Sequence, residues 1–456
     1  MRAPRIACRG LIRRFKRSDH GSVAPIIGLM VLVLIGCIGI GIDTGRSVVV
    51  RARLVDALDS AGLAVAARMS TADFNADAKK FVAANFAANF AGATVTDVTA
   101  VPNSDKTVIS LTATATMPTA FMKLLPGGTE VVTVKATSEV TRAAAGLELV
   151  MVLDNTGSMD DSGSMPSLKS AAKGLLDQVF GSDAVAKNLY VGLVPFSHTV
   201  SIGASRIAWT DATAGYPASW KGCVMARGDN LDTTDDPPVL TDKKKLFKAY
   251  NYPYTGGGSW LDQYLYQAYG GGNRFCPQAV TPMTNVKSKV VTAINALTAD
   301  GNTHINLGAV WGWRMLSPRW RGYWDGDMLL NSLPLDYGTK RMTKAVVLMT
   351  DGDNTMSSSV YTAYSWLSDG KLAGKTGAGA AKLELDARLA SVCGSMKAQG
   401  IVVYAVAFDN PEPTTKSMLQ ACATSTSYYF DAGSQAELIA SFKTIGDSLS
   451  NLRVSR

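Results

Sequence analysis

Leu147-Glu148-Leu149-Val150-Met151-Val152-Leu153-Asp154-Asn155-Thr156-Gly157-Ser158 is the stretch that decides the fold of this chain. A β-branched and leucine-rich run ends in a carboxylate, with two hydroxyls on alternate residues beyond it. Such a run reads as a parallel strand buried on both faces, presenting ligands at its C-terminal end. In open α/β sheets that end is where ligands bind. One carboxylate and two hydroxyls are hard oxygen donors. They suit Mg²⁺, which takes few protein ligands and keeps several waters.

Two downstream segments complete the pattern. Ala345-Val346-Val347-Leu348-Met349-Thr350-Asp351-Gly352 is a second apolar strand ending in a carboxylate, and Gly301-Asn302-Thr303 lies in a tight loop between amphipathic stretches at 286–297 and 305–316. Thr-Asp-Gly alone is ordinary turn chemistry; the three segments in this order and strand context are specific. Together they resemble the metal-ion-dependent adhesion site of von Willebrand factor A domains, whose Asp-x-Ser-x-Ser pattern has Thr156 in place of its first serine. The resemblance implies a metal site of Asp154, Thr156, Ser158, Thr303 and Asp351. It would hold Mg²⁺, with Mn²⁺ or Ca²⁺ as substitutes, and leave one coordination position for a carboxylate from a protein partner.

Strand and helix alternate on both sides of these segments. A helix is expected over 166–180, strands over 190–196, 346–350, 402–408 and 427–431, and a last helix over 435–452. This is an α/β, doubly wound sheet in the von Willebrand A order, with residues 199–202 expected as that family's antiparallel third strand. Two insertions exceed what the core needs, at about 203–282 and 317–340. The first is rich in aromatics (Trp209, Trp220, Tyr252, Tyr254, Trp260, Tyr264, Tyr266, Tyr269), which argues for order. Both are expected to pack together at the edge opposite the metal, near the stalk, while 355–380 overhangs the metal site.

The net charge of +8 suggests nucleic acid until it is located. Arg2, Arg5, Arg9, Arg13, Arg14, Lys16 and Arg17, against Asp19, put +6 in the first 20 residues and leave +2 for the rest. That is too little for a phosphate-tracking surface. The basic cluster precedes residues 23–42, an uncharged apolar run long enough to cross a bilayer as a helix. Positive charge on one flank predicts a cytoplasmic N-terminus and a periplasmic C-terminal domain, with reach to the cell surface left open. A cleaved signal peptide is the competing reading. The length of the run and the lack of a small-x-small cleavage site favour a retained anchor. Gly28, Gly36, Gly39 and Gly41 are candidates for a close helix–helix face.

An alanine-rich helical region follows, at 48–69 and 72–91, then Thr/Val alternation at 94–98, 107–117 and 131–140 with a turn at Pro126-Gly127-Gly128. His20-Gly21-Ser22-Val23-Ala24, Gly39-Ile40-Gly41-Ile42-Asp43-Thr44-Gly45-Arg46 and Leu54-Val55-Asp56-Ala57-Leu58-Asp59-Ser60-Ala61 resemble the N-terminal region of tight-adherence (Tad) pilus assembly proteins of the TadE/TadG type. The C-terminal helix with Cys422-Ala423 before it resembles the TadG tail. Prepilins carry a Glu five residues after the cleavage Gly; counted from Gly21, this chain has Ile26 there, so a permanently anchored protein is expected. The expected organisation is a basic cytoplasmic tail (1–20), a transmembrane anchor (21–43), a pilin-like helix-and-strand region (44–145) and the von Willebrand A domain (146–456). The resemblance implies a bacterial inner-membrane protein, with other Tad pilus components as partners.

Cys223, Cys276, Cys393 and Cys422 would lie in an oxidising compartment. Sequence proximity favours Cys223–Cys276 and Cys393–Cys422 as disulfides, with four free thiols as the alternative. Arg227-Gly228-Asp229 spells an integrin-binding tripeptide that chance and local turn residues also explain. The Gly triplets lack the frame and Lys of a phosphate loop. His304 adjoins Thr303, though a solvated loop histidine is the ordinary reading; Asp353 and Asp160–Asp161 are candidates to add negative potential near the metal, with solvated surface charge as the default explanation. No nucleophile–base arrangement is visible and no general base accompanies the metal pattern, so an enzyme is not expected. The function expected is a membrane-anchored pilus assembly or adhesion protein binding a partner through its metal site. The alternative is an envelope scaffold in which the metal only stabilises the domain.

Overall fold

The computed structural model describes residues 23–66, 73–103, 108–141, 146–161, 163–211, 213, 215–217, 219–256, 259–268 and 270–452. The basic tail lies outside them. The chain forms two compact units, 23–66 with 73–141, and 146–452.

In the first unit α1 (Val23–Ala66) is continuous through the expected anchor and beyond it. Among the described residues it is the helix long and apolar enough to cross a membrane. Val23, residues 25–35, Ile38, Ile40 and Ile42 expose their apolar side chains, whereas Val50, Leu54, Leu58, Ala61 and Val65 are buried. That second set recurs every three or four residues, the spacing of one helix face. The face lies against an antiparallel sheet of β1 (Thr94–Pro102), β2 (Val108–Pro118) and β3 (Val131–Thr141) in the order β1-β2-β3. Ile109, Leu111, Ala113, Ala115 and Met117 alternate along β2 and supply the sheet's side of the core. α2 (Phe74–Asn85) begins at Asp73, whose carboxylate accepts from the Ala76 N–H at 3.0 Å. It stops six residues short of the expected end. Phe86 turns extended, and Asn89 and Ala91 take positive φ. The anchor glycines are also reassigned. Gly36 and Gly39 receive Leu125 and Phe121 of the same unit, while Gly28 and Gly41 have no neighbour within 4 Å of a would-be side chain.

The second unit is an α/β fold of the von Willebrand factor A type. In chain order its elements are β4 (Gly146–Asp154), α3 (Ser164–Phe180), β5 (Leu189–Phe196), β6 (Val200–Ser201), β7 (Cys223–Val224), α4 (Trp260–Ala268), β8 (Thr281–Thr284), α5 (Lys287–Asn295), α6 (Ile305–Leu316), α7 (Asp327–Leu330), β9 (Met342–Thr350), α8 (Ala378–Ala398), β10 (Val402–Phe408), α9 (Pro413–Cys422), β11 (Tyr429–Ala432) and α10 (Gln435–Leu452). The sheet runs β11-β10-β9-β4-β5-β8, parallel except for β8. Every residue of β4 and β5 is buried, as a parallel sheet covered on both faces requires. Val150 and Val152 face the core shared with α6 and α8; Leu149, Met151 and Leu153 face the one shared with α3 and α10.

The antiparallel third strand is not at 199–202. Val200 and Ser201 pair with Val224 and Cys223 in a separate ribbon, and β8 takes the sheet edge, with Thr284 opposite Val191. The aromatic insertion therefore leaves and re-enters between β5 and its antiparallel neighbour. Its first part packs on the second insertion: Trp209 meets Trp320 at 5.4 Å and Trp324 at 5.2 Å. The second insertion reaches the N-terminal end of β4, where the Leu335 N–H donates to Glu148 at 2.8 Å. Lys344 is ion-paired with Glu148 there. The later part of the first insertion does not stay at that end. Tyr252 meets Tyr361 and Trp366 of the segment after Asp351 edge to face, and Phe275 packs on His198. The expected separation of the insertion from 355–380 thus gives way to one aromatic cluster, because large rings cover each other more completely than either covers itself. Disulfides join Cys223 to Cys276 within this region and Cys393 to Cys422 between α8 and α9.

Candidate metal centre

β4 and β9 run side by side with Leu153 opposite Met349, so Asp154 and Thr350 reach the C-terminal edge of the sheet together. Asp154 is fully buried. One carboxylate oxygen accepts from the Thr156 N–H at 2.8 Å, the other from the Thr350 hydroxyl at 2.5 Å. These two bonds fix the carboxylate plane and leave further lone pairs on both oxygens. The Thr156 and Ser158 hydroxyls are 3.0 Å apart, and Ser158 donates to Asp351 Oδ1 at 2.8 Å.

Thr303 arrives on a loop tied to the first by backbone bonds. The Gly157 N–H donates to Gly301 O at 2.9 Å and the Asp300 N–H to Asn155 O at 2.8 Å. The Asn155 side-chain amide reaches Thr298 O at 2.8 Å and Gln278 at 3.1 Å. Gly301 has φ +87°, and a Cβ there would come within 2.9 Å of the His198 ring, so glycine is required for the loop to close. A side-chain carbon on Gly352 would lie 3.6 Å from Thr303 Oγ1 and 3.7 Å from Ser158 Oγ. The two hydroxyls therefore flank one point, which Gly352 keeps free.

The electrostatics of this edge are set by two carboxyls that share it. Burial pushes the Asp154 carboxyl up, opposed by its bonds from Thr350 and Thr156. Burial, and then the charge of Asp154, push Asp351 up, opposed by Ser158. Two acids sharing a desolvated edge raise each other. Among the described residues no group of three or more His, Cys, Asp or Glu is gathered for a metal. With two carboxylates and three hydroxyls, the donor set fits a hard cation that retains water and suits a thiolate- or imidazole-preferring metal poorly.

The five residues singled out in the sequence are thus placed together. Their supports were not legible there. Thr350 was the nearest to hand: it precedes Asp351 on the strand, and in register it stands beside Asp154. His198 gave no signal. Its Nδ1 accepts the Asn302 N–H at 2.9 Å, and its Nε2 lies 3.2 Å from Tyr250 Oη, which donates to Tyr361 O. Neither histidine near the loop meets solvent: burial holds His198 well below its ordinary range and His304 at about 3. Arg227 of the Arg-Gly-Asp tripeptide is also buried, donating to backbone carbonyls and stacked 4.4 Å over Phe247. That arginine is unavailable to a receptor.

Residues 21–68 match the family of putative Flp pilus-assembly, TadE/G-like proteins. That match covers the apolar helix and its continuation; the α/β unit lies outside it. Similar solved structures include the von Willebrand domain of the type V pilus tip protein Mfa5 from Porphyromonas gingivalis, at 13% identity and TM-score 0.37, covering 69% of this chain and 97% of that one. The pilus adhesin SpaC from Lactobacillus rhamnosus GG is 12% identical with TM-score 0.35, over 78% of this chain and 34% of that one. Proximal thread matrix protein 1 of the mussel byssus, with zinc in its MIDAS motif, is 15% identical with TM-score 0.32, over 67% of this chain and 48% of that one. This chain spans about a third of SpaC and about half of the byssus protein. No curated protein matches the sequence. The strand order, more than these scores, defines the fold.

Proposed function

We propose that this chain is a membrane-anchored pilus-assembly or adhesion protein whose α/β unit holds a carboxylate of a protein partner through a divalent cation, Mg²⁺ foremost. Asp154 and Asp351 balance its charge; Thr156, Ser158 and Thr303 supply hydroxyl oxygens directly or through water. The bound cation offers the partner's carboxylate an open, electrophilic position. The observation that carries the reading is the convergence of these five side chains at one sheet edge, two of them carboxyls that burial pushes up. The TadE/G-like segment supports an inner-membrane setting, periplasmic exposure of the α/β unit and other pilus components as partners. A scaffold in which the ion merely stabilises the unit is the second reading. It is favoured by one observation: the Ser158 hydroxyl donates to Asp351 at 2.8 Å, so the two loops are already joined by protein groups.

The test is a thermal melt of the full chain in detergent, disulfides intact, titrated with Mg²⁺ and Mn²⁺ beside Asp154→Ala. A cation bound only by the folded state adds about 2.7 kcal/mol at a hundredfold excess over its Kd. A shift confined to the wild type is expected. No shift in the wild type, or an equal shift in Asp154→Ala, overturns the metal site. Capture of other pilus components that survives EDTA would favour the scaffold.

A further inference from the structure

The loop between β2 and β3 lies against the part of α1 expected to be inside the bilayer. Leu125 Cδ2 is 3.3 Å from a would-be Cβ on Gly36, and the Phe121 Cβ is 2.5 Å from one on Gly39. Only glycine lets the loop approach this closely. A hydrocarbon core of about 30 Å needs about 20 helical residues, and the uncharged run ends at Ile42. Stopping the membrane short of Gly36 would leave residues 23–35, about 20 Å at 1.5 Å per residue, which does not span. Gly36 and Gly39 therefore sit within the apolar layer, about 10 and 6 Å from Asp43 along the helix axis. Whatever touches them sits there too.

The loop is built for that place. Leu124 is 73% exposed and Phe121 38%, beside the exposed Ile38, Ile40 and Ile42 of the helix. Backbone in hydrocarbon needs internal partners, and Asp43 provides them. Its carboxylate is buried and accepts from the N–H groups of Ala120, Phe121 and Met122 at 2.9, 2.8 and 2.9 Å. Leu124, Leu125 and Gly128 donate to Phe121 O, Met122 O and Leu125 O. Arg46, 3.4 Å from Asp43, answers its charge on the aqueous side. Lys123 is exposed on a stem long enough to carry its ammonium to the phosphates.

We propose that residues 121–125 are a second membrane-contacting element, an apolar loop seated in the periplasmic leaflet of the bilayer that α1 crosses, with Asp43 as the clamp that makes its immersion affordable. The inference rests on the anchor reading and adds a lipid-facing surface to it. It predicts a unit tied to the membrane at two points and unable to swivel freely about its helix.

The experiment is nitroxide labelling of the full chain in phosphatidylethanolamine–phosphatidylglycerol vesicles, with Cys8 and Cys37 replaced by Ser. Single labels go to Leu124→Cys, to Leu32→Cys in mid-helix and to the exposed strand position Thr137→Cys. Collision with oxygen, which enters lipid, is compared with collision with a water-soluble nickel chelate. The expected result is that position 124 resembles position 32, favouring oxygen, while position 137 favours the chelate. Position 124 matching 137 while 32 stays in lipid overturns the loop proposal and leaves the anchor standing. Position 32 in water overturns the anchor and the loop with it. Position 124 shielded from both reagents shows a protein on the loop and overturns the lipid assignment. Because Leu124 is exposed, its replacement leaves the fold intact.

Discussion

The metal edge and the aromatic insertion belong to the same unit and are built by opposite means. The edge uses small polar side chains at strand ends, held by backbone bonds between short loops: Gly157 to Gly301, Asp300 to Asn155, Thr355 to Thr303. The insertion uses rings and buried charges whose partners lie far along the chain. Trp320 Nε1 donates to Asp235 O, Arg388 pairs with Asp232, and Arg314 donates to Leu231 O. The first arrangement positions oxygen atoms accurately and buries little area. The second buries much area and presents no set of donors for a ligand. A site and its support are thus divided between two kinds of packing, and each fails differently.

The largest effect is expected where the second insertion packs on the aromatic one. Trp320→Ala empties a fully buried ring position and should cost about 3–5 kcal/mol. The melt should fall while the Mg²⁺ shift persists. Loss of the shift as well would mean that the insertion sets the site's geometry, and the contrast would collapse. Thr350→Val leaves Asp154 without one donor. It should cost about 1.5–3 kcal/mol, the range for a hydrogen bond to a charged group, and should weaken the Mg²⁺ shift out of proportion to that loss. An unchanged titration would show that Thr350 does not orient the carboxylate.

Stability against pH sharpens the contrast further. Asp154 and Asp351 are raised above 3.8 in the folded state. Between 3.8 and their folded range the folded chain therefore binds more protons than the unfolded one, and stability falls as pH rises through that window. The metal-free protein should lose stability on going from acid towards neutral pH, and the Mg²⁺-induced gain should grow over the same interval. Asp351→Asn should flatten both trends. A metal-free melt that rises through the window would contradict the shared-charge picture. The smallest effect is expected at Asp160, exposed beyond the ligand run. Asp160→Asn should change stability by no more than about 0.5 kcal/mol, and a larger loss of Mg²⁺ affinity would enlarge the site.

Much of the fold was legible because its signals are local. β10, α6 and α10 were read to the residue, since continuous apolar runs and 3.6-residue periodicity need no knowledge of neighbours. The edge strand was misplaced at 199–202 because Val200-Ser201 and Thr281–Thr284 are both short and both half apolar. Only competition for the same strand edge, settled when Val200-Ser201 pairs with Cys223-Val224 instead, separates them. His198 was unreadable for a similar reason: its partners Asn302 and Tyr250 are more than 50 residues away.

The sequence by itself determined the two apolar runs that lead into Asp154 and Asp351, the hydroxyls placed beside them, the apolar helix and the four cysteines that pair. These are consequences of residue type at fixed short spacing. Only the tertiary structure decided that Thr350 and not solvent orients Asp154, that the insertion reaches the loops of the candidate site through Phe275 and Gln278, and that Gly36 and Gly39 receive a loop in place of a second helix. Each of those depends on which distant surfaces exclude water from one another, and a one-dimensional pattern of hydrophobicity and charge does not carry that information.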